Sequence, residues 1–147
     1  MVKFGVKFTN FSFLFCILGY NRIESGEIMK DINILKANGI DVDSAVNLLG
    51  DMEMYEETLG DFLEESKTRL PKIEEYNKNG DMENYAILVH AMKSDSKYLG
   101  FTKLAELSLE HQLKSQENDI GYINSNYDTL IEEAKRIIQV VSDYLAS

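Results

Sequence analysis

The sequence predicts an all-α protein: an antiparallel up-and-down four-helix bundle with a short additional N-terminal helix. Three observations carry this expectation. Apolar residues recur at helical spacing in four long segments from about Met52 onward, capping and turn residues bound each segment, and no alternating strand pattern survives after residue 42. Long helices joined by short turns are antiparallel neighbours, which makes a bundle.

Residues 1–28 do not share that pattern. Phe4, Phe8, Phe11 and the run Phe13-Leu14-Phe15-Cys16-Ile17-Leu18 are apolar without helical periodicity, and Lys3 and Lys7 precede the run. The outline is that of a secretory signal, but no small-x-small cleavage site follows at Gly19-Tyr20-Asn21-Arg22. The run is too short to span a bilayer, and bulky Phe15 argues against a lipidated Cys16. The expectation is that translation begins at Met29, so that residues 1–28 are an N-terminal extension and residues 29–147 are the domain.

Gly39-Ile40-Asp41-Val42-Asp43 reads as an extended lead-in to a short helix over Ser44–Leu49, with Asp43 as its cap and Gly50 as its stop. The first long segment, about Met52 to Asn77, repeats Tyr55, Leu59, Phe62, Leu63, Leu70, Ile73 and Tyr76, and Pro71 is expected to kink or split it. Asp81 caps the second, about Met82 to Leu99, and Gly100 stops it. Thr102 is placed to cap a third, to about Gln116, with Leu104, Leu107 and Leu113 inward. After Asn118-Asp119 the last, about Gly121 to Tyr144, is expected to turn Ile123, Tyr127, Leu130, Ile131, Ala134, Ile137, Ile138, Val141 and Leu145 inward.

Composition limits the chemistry. A chain of 147 residues, 44% hydrophobic and 27% charged, supports one ordinary core. A net charge of −10, from 25 acidic against 15 basic residues, disfavours nucleic acid and stable association with an anionic membrane. The single cysteine leaves no intramolecular disulfide and no Cys/His zinc cluster, which suits a cytoplasmic setting. No glycine-rich phosphate loop is present to bind ATP. Carboxylate-bridged di-metal bundles use Glu-x-x-His pairs, but His90 and His111 follow Ile87 and Ser108 at that spacing, so no metal or intrinsic cofactor is expected.

What remains is His90. On the helix Met82–Leu99, Tyr85, Leu88, Val89, Met92, Ser96 and Leu99 form the core stripe, and His90 projects about 150° away from its middle. Its neighbours along the helix are Ala86, Lys93, Ser94 and Lys97. A neutral imidazole is a nucleophile, and attack on phosphorus leaves a phosphoryl group of nearly two negative charges. Lys93, one turn away, then contributes an attraction of about 1 to 4 kcal/mol between unit charges. Ala86 and Ser94 are small enough to let another protein bring its phosphate close. Counting out from the turn at Gly100 sets His90 level with about His111 and Gln112, so the Gln112 amide can orient the imidazole.

The run His90-Ala91-Met92-Lys93-Ser94-Asp95-Ser96-Lys97-Tyr98-Leu99-Gly100 resembles the His-x-hydrophobic-Lys-Gly-x5-Gly signature of histidine-containing phosphotransfer (HPt) domains, and the likeness extends over about residues 39–145. The resemblance implies a bundle that accepts a phosphoryl group from a receiver-domain aspartate and passes it to another. It makes His90 the phospho-acceptor, Lys93 its charge partner and Gly100 the turn residue. Mg²⁺ and most catalytic groups would belong to the receiver, so the chain would be a phosphocarrier rather than a self-sufficient enzyme. Ser94 departs from the family, which usually has Gly there. The expected partners are response-regulator receiver domains, or a hybrid histidine kinase, met transiently by a monomer. Ile87 and Ala91 would lie in the apolar docking patch, flanked by Ala86, Ser94 and Lys97. Three alternatives stand beside this: a non-catalytic adaptor that binds receivers, a phospho-acceptor module serving one histidine kinase, and, more remotely, a metal-binding bundle.

Overall fold

Six helices account for nearly all of the chain that the computed structural model describes, residues 30–147, and no strand occurs among them. The expectations for residues 1–28 lie outside the described residues. The helices are α1 (Asn33–Lys36), α2 (Val42–Leu49), α3 (Met52–Asn79), α4 (Met82–Leu99), α5 (Thr102–Gln116) and α6 (Ile120–Ala146).

The all-α expectation holds. α3 packs on α4 and α6, and α5 packs on α4 and α6, so each long helix has two of the others as neighbours. α2 lies against α3 and α4, and α1 lies against α6. The centre is filled by Tyr55, Leu59, Phe62, Ile73, Tyr85, Val89, Met92, Leu104, Ile123, Leu130, Ile137 and Val141. Each such burial contributes about 1.5–3 kcal/mol. Phe101 closes one end, edge-on to Phe62 at 5.0 Å between ring centres.

Four local expectations are corrected. The cap of α2 is Asp41 rather than Asp43: its carboxylate accepts from the Ser44 N–H at 3.2 Å, so the helix starts at Val42. Asp43 instead pairs with Lys36 of α1 at 3.3 Å. Pro71 does not split α3, which runs unbroken from Met52 to Asn79 because buried Phe62 and Ser66 before it and Ile73 after it hold both halves to the same core. Thr102 does not cap α5. That position falls to Phe101, whose side chain is buried and whose N–H donates to the Ser96 carbonyl at 2.8 Å, so packing rather than a hydroxyl sets the junction.

The fourth correction is Leu113, which is half-exposed rather than inward. α5 buries Leu104, Ser108, His111 and Ser115, a helical stripe that favours small and hydrogen-bonding side chains where the helix lies against α4. Leu109 and Leu113 are left on the outside.

Candidate functional site

Capping fixes the ends of α4. The Asp81 carboxylate accepts from the Asn84 N–H at 3.2 Å, and Gly100 takes a left-handed conformation, φ +84°, as the C-cap. Between these ends Tyr85, Val89, Met92, Ser96 and Leu99 are buried, and the rotation they impose leaves His90 exposed on the opposite side.

The imidazole is held from α5. His90 Nδ1 lies 3.1 Å from Gln112 Oε1. An amide oxygen can only accept, so Nδ1 carries the proton and the Nε2 lone pair is left for an incoming electrophile. Gln112 is anchored in turn: its backbone carbonyl accepts from the Ser115 hydroxyl at 2.9 Å, and its neighbour His111 is sealed in the core. His111 Nδ1 sits 2.8 Å from the Tyr85 hydroxyl of α4, and its ring meets Tyr122 edge-on at 5.8 Å. Burial pushes the His111 imidazole below its ordinary pKa, outweighing the Asn126 backbone and the Glu110 carboxylate, which act the other way. Tyr122, which donates to Glu110 at 2.6 Å, is pushed up to about 12 by burial and by that bond.

Along α4, Glu83 precedes His90 and Lys93 and Lys97 follow it. Asp95, the one acid on α4 between His90 and the turn, is engaged by Arg69 of α3 at 2.9 Å. Lys93 is half-buried and Lys97 exposed, and neither meets a carboxylate among the described residues. Two depressions follow one another along the α4–α5 seam. One, of about 710 Å³, is lined by Glu83, Ile87, His90, Gln112 and Gln116, among others. The other, of about 310 Å³, is lined by Lys93, Lys97, Gly100 and Leu109 among others.

The structure thus brings His90 and Gln112 into contact and sets Ile87, 59% exposed, on the rim of the larger depression. Ala91 and Ser94 are half-buried beside it. Ala86 differs from expectation: it is 7% exposed and lies in the wall of the depression rather than on an open surface. Gly100 is a turn residue set apart from the imidazole, and a Cβ there would run into the Asp41 carbonyl. Sequence reasoning missed the exposed Leu109 and Leu113 on the α5 side of His90, and the depth of His111. Both follow once Leu104, Ser108, His111 and Ser115 are taken as the buried stripe, because Leu109 and Leu113, themselves four residues apart, project about 130–170° away from it.

Among the described residues no group of three or more His, Cys, Asp or Glu side chains is arranged to hold a metal ion, and no helix is long and apolar enough to cross a membrane. No curated protein and no solved structure matches the chain significantly. The family model for the Hpt domain matches residues 57–140, more than half of the chain, from within α3 to within α6 and across the whole of α4 and α5. This chain belongs to the Hpt domain family, the histidine phosphotransfer domains of two-component systems.

Proposed function

We propose that the protein is a phosphorelay carrier in which His90 receives a phosphoryl group from a receiver-domain aspartate and delivers it to a second receiver. The observation that carries this reading is the contact between His90 Nδ1 and Gln112 Oε1, which leaves Nε2 as the nucleophile on an exposed helix face. In the transfer the Nε2 lone pair attacks phosphorus, the P–O bond to the aspartate breaks, and the carboxylate leaves with the bonding pair. The Nδ1 proton stays on the ring, which becomes cationic while its N–H faces the Gln112 oxygen. Lys93, without a carboxylate partner, neutralises the phosphoryl oxygens as they arrive. The receiver supplies Mg²⁺ for the step.

The same reading arranges α3–α6 as an antiparallel up-and-down bundle, with the short helices at its start. It takes residues 29–147 as the domain and residues 1–28 as an extension. Receivers dock over Ile87, Ala91, Ser94 and Lys97, with Ala86 beneath them, in transient complexes of a cytoplasmic monomer. The test is to incubate the protein with a radiolabelled phospho-receiver beside His90→Gln. Acid-labile, base-stable label on the wild type and none on the variant is the expected result. Wild-type protein that stays unlabelled with several competent receivers would leave a non-catalytic adaptor in its place.

A further inference from the structure

We propose that Ser94 is a positioning residue for the phosphoryl group on His90, its hydroxyl donating a hydrogen bond to one phosphoryl oxygen. The inference rests on the phosphohistidine reading above and assigns to Ser94 a chemical task beyond leaving room for a partner.

The argument begins with what surrounds the imidazole on its own helix. Within one turn of His90 on either side stand Ala86, Ile87, Leu88, Val89, Ala91, Met92, Lys93 and Ser94, of which Lys93 and Ser94 alone carry a hydrogen-bond donor. At about 100° per residue, Lys93 lies about 60° to one side of His90 and Ser94 about 40° to the other. Side chains on a helix lean toward its N-terminus, so both reach back toward the histidine. The two donors therefore straddle the imidazole, Lys93 on the α5 side where it lines the smaller depression, and Ser94 on the side facing away from it.

The Ser94 hydroxyl is also uncommitted. Thr58 and Ser66 each donate to the carbonyl four residues earlier, at 2.8 Å in both cases. Ser94 is half-buried, and its hydroxyl makes no hydrogen bond among the described residues. A phosphoryl group on Nε2 presents three strong acceptor oxygens. Gln112 Oε1 cannot serve them, because it is an acceptor already turned to Nδ1. An ammonium on one side and a hydroxyl on the other satisfy two of the oxygens and fix the rotation of the group about the P–N bond. The third faces the partner.

The test uses the full chain and potassium phosphoramidate as phosphodonor, so that no receiver is needed. The P–N bond to ammonia breaks as the P–Nε2 bond forms, and ammonia leaves. Wild type, Ser94→Ala, Ser94→Thr and His90→Gln are followed by ³¹P NMR, reading the pH midpoint of the phosphoryl resonance and its decay at neutral pH. A donor to the charged phosphoryl lowers that midpoint, so Ser94→Ala raises it and shortens the lifetime about threefold to tenfold, while Ser94→Thr restores both. A packing role would not move the phosphoryl titration. Labelled wild type with an unchanged midpoint and lifetime in Ser94→Ala, or a loss that threonine does not restore, overturns the role of Ser94 alone. Failure of the wild type to acquire a phosphohistidine resonance that His90→Gln lacks overturns the phosphohistidine reading and this inference together.

Discussion

The Asp41 N–H donates to the Gly100 carbonyl at 2.9 Å, and the Gly100 Cα lies so close under Asp41 that an added Cβ would meet the Asp41 carbonyl carbon at 2.8 Å. Asp41 caps α2 and Gly100 ends α4, so this one approach joins the first helices of the unit to the helix that carries His90. Gly100→Ala combines a left-handed backbone with a collision against main chain, neither of which a side-chain rotation relieves. The expected loss is more than about 2 kcal/mol, read as a lower urea midpoint at unchanged slope. Wild-type stability in this variant would mean that the turn is looser than its geometry.

Gln112→Ala removes the acceptor that fixes the His90 ring. A lost hydrogen bond of about 0.5–1.5 kcal/mol slows phosphotransfer roughly twofold to tenfold and lets label divide between Nε2 and Nδ1. Helicity stays the same, because Gln112 is only half-buried. Unaltered rate together with exclusive Nε2 labelling would show the contact to be idle.

Lys93→Ala leaves the phosphoryl oxygens without their cation. The phosphohistidine lifetime or the transfer rate is expected to fall about fivefold at low salt, with less effect at high salt as screening grows, and Lys93→Arg is expected to recover most of it. A decay curve that overlays the wild type would reduce Lys93 to a surface lysine.

Ile87→Asp places a charge on a side chain that is already 59% exposed, so the melting temperature should change little. Transfer from a receiver slows at least several-fold, while labelling by phosphoramidate is retained. The contrast between the two donors is the informative quantity, since equal loss with both would move Ile87 from docking to chemistry.

Burial lowers the His111 pKa below its ordinary 6.5, so folding disfavours the charged imidazole. As the pH falls through about 6.5 the unfolded chain gains this proton before the folded one does, so stability drops. Thermal melts of the wild type between about pH 7.5 and 5.5 therefore slope downward with acid. In His111→Gln, which cannot take the proton, the slope is shallower, although the baseline is lower for want of the full Tyr85 contact. Parallel slopes would assign the acid sensitivity to other groups.

The His90 segment was legible in the sequence because it is governed by local rules. A period of 3.6 residues puts Tyr85, Val89, Met92 and Leu99 on one side and His90 on the other, and Asp81 and Gly100 mark the ends by capping chemistry. The level of Gln112 followed from counting across a tight turn, since two helices leaving one turn rise at the same rate. Pro71 shows the limit of such rules: a residue that disfavours helix interiors sits within α3 because apolar packing on both sides outweighs a local penalty of about 3 kcal/mol.

The sequence by itself determined the all-α class, the extents of the four long helices to within a few residues and the outward direction of His90, all of which depend on periodicity and end signals carried within each segment. Only the tertiary structure decided which face of α5 turns inward, that Asp41 rather than Asp43 caps α2, and that Asp95 is drawn to Arg69 while Lys93 is left without a carboxylate. Those outcomes depend on which side chains from other helices arrive at the same place. Proximity of that kind is set by how the helices pack, and no single segment encodes it.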